Sequence, residues 1–230
     1  MMYGFSWDTS TTLSFAWSIL PILGIGLIVT LKAAAVGFAI ALVLGLVFAL
    51  LRRSRVVLVS WPTAFVIEFL RDTPLLVQLF FLYYVLPIYG IVLPAFLTGA
   101  LALGLQYSAY TSEVYRGGLD AVPRGQWEAA IALNLGRGRT YWDIIIPQAI
   151  PRIIPAMGNY LVSMLKETPV LSVVTVVDML NLANLIGDRT FEYLVPLSLV
   201  GLIFLILTLV CSAAIHWLEK ALPKNGIALR

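Results

Sequence analysis

From Thr73 to Ser112 the chain runs 40 residues without an Asp, Glu, Lys or Arg. A helix needs about 20 apolar residues, each rising about 1.5 Å, to cross roughly 30 Å of hydrocarbon, so this run is long enough for two crossings. It breaks where Pro87, Gly90 and Pro94 crowd together, the strongest turn chemistry in the run. Two further charge-free runs, Ala33 to Leu51 (19 residues) and Tyr193 to Leu218 (26 residues), each suffice for one more. A fifth span is expected near Ile153–Leu180, interrupted by Lys166 and Glu167. With 60% hydrophobic and only 12% charged residues the chain has about half the charge of a soluble domain. The expected class is all-α integral membrane, with about five transmembrane helices near 17–51, 56–86, 94–114, 153–180 and 193–218.

Basic residues orient these spans. No Lys or Arg precedes Lys32, so no basic segment leads the first apolar run, which is read as a retained span rather than a cleaved signal peptide. Arg52, Arg53 and Arg55 follow that span and mark its end as cytoplasmic. Alternation then puts eleven of the fifteen basic residues inside, with the N-terminus out and the C-terminus in. A net charge of +3 reports this bias rather than a nucleic-acid partner. Lys32 snorkels to the outer interface. Ala33, Gly37, Ala41, Gly45 and Ala49 form a small-residue stripe, which serves equally well as a subunit seam or as internal packing.

Catalytic signatures are missing. The sequence contains no G-x-x-x-x-G-K-[ST], G-x-S-x-G, H-E-x-x-H or C-x-x-C. The single Cys211 forms no internal disulfide, and His216 beside Trp217 suits a membrane interface. The expectation is therefore a chain that is not an enzyme and has no metal or cofactor of its own.

Between the third and fourth spans lies the longest non-spanning stretch, about 115–150. Within it Gln126–Leu135 holds good helix formers behind Pro123 and ahead of Gly136. Trp127, Ala130 and Ile131 are available to pack inward or onto a partner. Glu128-Ala129-Ala130 followed by Ile144-x-Ile146-Pro147 resembles the EAA loop of importer-type ABC transporter permeases. R-D-T-P-L-L-V-Q-L-F-F-L-Y-Y (71–84), Y-R-G-G-L-D-A-V-P-R-G-Q-W-E-A-A (115–130) and Ile146-Pro147-Gln148-Ala149 are similar to the polar amino acid permeases of the histidine/glutamine/arginine branch. L-Y-Y-V-L-P-I-Y-G-I, Y-S-A-Y-T-S-E-V-Y-R and K-E-T-P-V-L-S-V-V-T-V-V-D look most like permeases of ectoine/hydroxyectoine importers.

This resemblance implies a type I ABC importer permease (MetI-like) fold over about 17–220, after a periplasmic segment 1–16 and before a cytoplasmic tail 221–230. It implies a multi-pass subunit of the bacterial inner membrane that imports a small zwitterionic solute, ectoine or hydroxyectoine ahead of a conventional polar amino acid. A membrane scaffold, an intramembrane enzyme or an ion-coupled carrier are the competing classes. ATP and Mg would be bound by a partner ATPase dimer; a solute-binding protein and a second permease subunit, a heterodimer rather than a homodimer, complete the implied assembly. Arg124, Gly125, Glu128, Ala129, Ala130 and Asn134 would couple to the ATPase. Asn134 stands where the motif expects Gly, and Asn is the next most tolerant of left-handed backbone.

Two constellations within the spans carry charge. Glu68, Arg71 and Asp72 can share a helical face just before Thr73 and Pro74, as a self-neutralised cluster or as a gating hinge near the outer leaflet. Lys166 is expected near the bilayer's middle, where a charge must face a cavity or a partner. Lys166 and Glu167 could flank a zwitterion, helped by the Thr168 hydroxyl and the Gln106 amide, or serve as an ion pair between helices. The resemblance places a substrate site at Gln106, Lys166 and Glu167, with Glu167 standing where Asp is usual.

Overall fold

The structure is a computed structural model and describes residues 7–222. Helix α1 (Thr12–Arg52) is 41 residues long and opens on a capping box. The Ser14 amide donates to the Thr11 hydroxyl, and the Thr11 amide donates to the Ser14 hydroxyl, both at 3.1 Å. The helix thus begins inside the stretch expected as an N-terminal segment, because Thr11 supplies a cap that apolarity does not reveal. At about 1.5 Å per residue α1 is roughly 60 Å long, twice the hydrocarbon thickness.

The small-residue stripe of α1 packs internally, against α4 (Ala95–Asp120). A side chain at Gly37 would meet Leu103 and the Ala100 carbonyl, and one at Gly45 would collide with Thr111. The Thr111 hydroxyl donates to the Ala41 carbonyl at 2.8 Å. Close backbone approach is what makes this bond possible, and it selects internal packing over a subunit seam.

The second expected span is broken into α2 (Val57–Asp72) and α3 (Leu75–Phe80), which continues through a π-helical turn (Phe81–Val85) and a 3-10 turn (Leu86–Tyr89). Pro74 lacks an N–H, so the Leu70 carbonyl loses its helical partner. The Gln78 amide takes over, donating to the Leu70 carbonyl at 2.9 Å and to the Thr73 carbonyl at 3.1 Å. The break falls about halfway between Val57 and Tyr89. The expected place near the outer leaflet is therefore corrected to mid-passage.

The loop after α4 is shorter than expected, because α4 runs on to Asp120 on a charged last turn. Helix α5 (Arg124–Ala132) and a single turn, α6 (Arg137–Arg139), precede a π-helical segment (Thr140–Ile145). Helix α7 (Ile146–Glu167) begins seven residues before the expected start at 153. Pro147 sits in its first turn, where no donor is required. Helix α7 ends at Glu167 rather than carrying through to Leu180, since Pro169 follows. A 3-10 segment (Thr168–Val174) leads to α8 (Met179–Thr190), bent by 48° from the preceding helices. Gly26 lets α1 touch the start of α8: a side chain there would lie 2.6 Å from the Met179 Cα. Helix α9 (Leu194–Ala221) closes the chain.

Among the described residues α1 and α9 are long and apolar enough to cross a membrane, and the bent pair ending in α8 can supply a third crossing. Of the remaining two expected spans, one falls short by length, being interrupted at Pro74, and the other by composition, since α4 buries Gln106, Ser108, Thr111 and Ser112 inside the bundle. The outward faces of α1, α2 and α9 display Trp17, Val43, Leu58, Phe65, Leu205 and Leu209. Such a continuous apolar surface belongs against lipid.

Candidate functional site

Helix α5 is held by its flanks. Pro123 opens it, and Asn134 turns the chain at φ 51 with left-handed backbone. The Leu135 amide reaches back to the Ala130 carbonyl at 3.0 Å and the Asn134 amide to the Ile131 carbonyl at 2.9 Å. This is a Schellman ending with Asn in the place that usually takes Gly. Trp127 packs against the cluster of Val122, Ile145 and Ala149, and Ala130 is fully buried. Trp127 meets Tyr141 edge to face at 5.3 Å between ring centroids. Arg124, Gly125, Glu128, Ala129, Ala132 and Asn134 lie exposed. Of the two placements open to Ala130 in the sequence, inward or onto a partner, the structure takes the inward one.

Two side chains, unremarked in the sequence beyond Gln148's place in the quoted motif, tie α7 to α5 and to the turn before it. Gln148 donates to Gln126 at 3.2 Å and to the Ile144 carbonyl at 2.9 Å. Arg152 hydrogen-bonds the Ala121 carbonyl.

Within the passage, Glu68 and Arg71 pair at 3.6 Å, and Arg71 sits 5.9 Å over the Tyr110 ring. Asp72 joins no ion pair among the described residues, and the Thr73 hydroxyl donates to the Phe69 carbonyl at 2.7 Å. Glu68 and Arg71 line a polar cavity of about 590 Å³ together with Arg53, Glu113, Arg116 and Asp120. Arg53 pairs with Asp120, and Arg116 with Glu113. This cavity opens toward the arginine-rich end of α1.

Lys166 and Glu167 end α7, both exposed, and neither forms an ion pair among the described residues. Glu167 lies beside the Tyr107 hydroxyl. Tyr107, Tyr110 and Tyr160 stack together, with Tyr110 and Tyr160 at 5.4 Å. An aromatic bridge thus joins Glu167 to Arg71, a link that no sequence spacing signals. Gln106 goes elsewhere: it is buried, and its amide meets that of Gln78 over the Leu70 and Thr73 carbonyls. Thr168 is also committed, its hydroxyl donating at 2.8 Å to the Leu165 carbonyl, which its own backbone N–H also meets. The structure brings Lys166 and Glu167 to one surface and separates Gln106 and Thr168 from them.

An all-helical bundle with broken helices and a short exposed helix between α4 and α7 is the fold of a type I ABC importer permease, and the comparisons with known proteins agree. Residues 41–224 match the family described as the binding-protein-dependent transport system inner membrane component, and the chain belongs to it. The "Probable amino-acid ABC transporter permease protein y4tG" of Sinorhizobium fredii is 64% identical over the full length of both chains. The arginine transport system permease protein ArtQ of Bacillus subtilis is 35% identical, covering 90% of this chain and 94% of its own. A solved structure, "Crystal structure of an amino acid ABC transporter with histidines", aligns with a TM-score of 0.87 at 36% identity, over 94% of this chain and all of that one. An inward-facing methionine transporter, MetNI, shares the fold, with a TM-score of 0.72 at 16% identity over 89% of this chain and 98% of that one. The chain is the permease subunit of an amino acid ABC importer in the inner membrane, a transport subunit and not an enzyme. Its family works with an ATPase and a solute-binding protein.

Proposed function

We propose that the chain conducts a small zwitterionic solute past Lys166 and Glu167, Lys166 meeting the carboxylate and Glu167 the cationic end. The observation that carries this reading is the exposed pair itself. Two charges at the end of a membrane helix, neither matched by a salt bridge, require an aqueous passage or a partner chain instead of lipid, where each costs about 3 kcal/mol. Residues one apart diverge by about 100° around a helix, so the pair is better placed to span a solute than to neutralise itself. Relatives named for arginine, glutamine and cystine support a polar amino acid. Ectoine or hydroxyectoine is the second reading, supported by segments 82–91, 107–116 and 166–178. Gln106 acts from behind the site by holding the α2–α3 break in register, and Arg71 to Pro74 form the gate that this break allows.

Docking of the ATPase on the exposed stripe of Arg124, Glu128 and Ala132, flanked by Gly125 and Ala129, follows from the same reading; ATP and Mg stay on that subunit. A second permease, identical or related, would cover Lys166 and Glu167. The test is solute uptake into proteoliposomes holding the assembled complex, with radiolabelled arginine, glutamine, cystine and ectoine. Lys166→Met and Glu167→Gln should each weaken apparent affinity by roughly tenfold or more, as expected for a lost charge-assisted contact. Unchanged affinity in both variants would return the pair to a structural role.

A further inference from the structure

We propose that the cavity between the α1–α2 turn and α5 binds the phosphate of an anionic membrane lipid, and that this lipid seats α5 for coupling. The cavity holds about 580 Å³ and is lined by Arg53 and Arg55 from the α1–α2 turn and by Trp127, Ile131, Arg137 and Tyr141 from α5 and the segment after it. No carboxylate lines it. The neighbouring polar cavity differs in this respect, because Glu68, Glu113 and Asp120 line it beside Arg52, Arg53, Arg71 and Arg116. Arg53 turns its charge toward that neighbour through Asp120. Arg55 and Arg137 form no ion pair among the described residues, so two guanidiniums face the cavity unmatched.

The position selects a lipid over a soluble anion. Arg53 and Arg55 stand where α1 ends and α2 begins, at the edge of the apolar surface, and Arg137 comes to the same cavity from α6. From that edge Val57, Leu58, Trp61 and Phe65 run along α2, with Leu58 86% exposed. A phosphate held by Arg55 and Arg137 would have its acyl chains continue along this face, and Trp127 and Ile131 would cover the glycerol. Guanidinium binds phosphate through paired, geometrically matched hydrogen bonds, and basic pockets between membrane helices on the cytoplasmic side suit anionic headgroups. The docking stripe proposed for the ATPase is Arg124, Glu128 and Ala132, whereas the cavity takes Trp127, Ile131 and Leu135, a different face of the same helix. A lipid wedged there would hold α5 against α1 without occupying the docking stripe.

This inference rests on the permease reading but is tested separately from it. The intact permease–ATPase complex is placed in nanodiscs of phosphatidylcholine, with or without phosphatidylglycerol. Two quantities are read: binding-protein-stimulated ATP hydrolysis, and lipid retained in native mass spectrometry. Wild-type protein should retain phosphatidylglycerol and hydrolyse ATP about fivefold faster with it. The double variant Arg55→Gln/Arg137→Gln should retain roughly tenfold less and show no stimulation, while matching wild type in phosphatidylcholine. Equal retention by the variant overturns the proposal even if no hydrolysis is seen. Loss of ATPase association by the variant in phosphatidylcholine also overturns it, by making the cavity a protein contact. Stimulation of phosphatidylcholine discs by soluble glycerol phosphate overturns the lipid source in favour of a free anion.

Discussion

At Asn134 a single backbone angle sets the end of the coupling helix. A non-glycine residue at φ 51 costs energy, and Asn keeps that cost low because its short polar side chain can bond locally. Asn134→Gly should therefore fold and transport as well as the natural protein. Asn134→Val should cost about 1–2 kcal/mol and release the Leu135 turn from α5, because a β-branched side chain resists the left-handed region. Solute-stimulated ATP hydrolysis by the two variants, at matched protein levels, checks this. Equal behaviour would mean that the turn is not what fixes α5. The exchange of Gly for Asn was legible in the sequence, as was its tolerance. That Ala130 lies inside and Ala129 outside was not, because α5 carries apolar residues on more than one face and only the packing of the neighbouring segments chooses between them.

The break between α2 and α3 belongs to the element scale. Pro74 announces it, but the remedy comes from one turn ahead and from another helix. Gln78 reaches the carbonyls that the proline leaves open, and the buried Gln106 amide meets Gln78 there. Loss of either amide should be partly covered by the other. Gln78→Leu and Gln106→Leu are each expected to lower stability by about 1 kcal/mol, and the double variant by at least 1 kcal/mol more than their sum, since two buried carbonyls are then unsatisfied. Thermal unfolding of the purified complex measures this, and strict additivity would show that the amides act independently. Gln106 was singled out in the sequence as a solute-bridging amide. The structure gives it a backbone partner, a role that neither composition nor spacing contains.

For the molecule as a whole, coupling depends on which face of α5 meets the ATPase and which meets the rest of the chain. Bulk at Ala129 and bulk at Ala130 should therefore have opposite signatures. Ala130→Trp overpacks an internal contact and is expected to cost about 3 kcal/mol, seen as loss of protein from the membrane. Ala129→Trp should leave abundance near normal and uncouple hydrolysis from uptake. Membrane abundance measured beside the ratio of solute moved to ATP spent separates the two. Uncoupling by Ala130→Trp at full abundance would reverse the assignment of faces.

Charge-free runs, arginine asymmetry and the EAA loop determined by themselves that this chain is helical, membrane-spanning and an importer permease. These signals are set residue by residue, by what lipid excludes and what a docking helix requires. Tertiary structure decided where helices break and what the breaks do. It bent the fourth expected span into α7 and α8, turned the glycine stripe of α1 inward against α4, and joined Arg71 to Glu167 through three tyrosines. Each of these depends on which distant carbonyl or ring fills a vacancy. Neighbours along the chain can create that vacancy, but only packing decides what fills it.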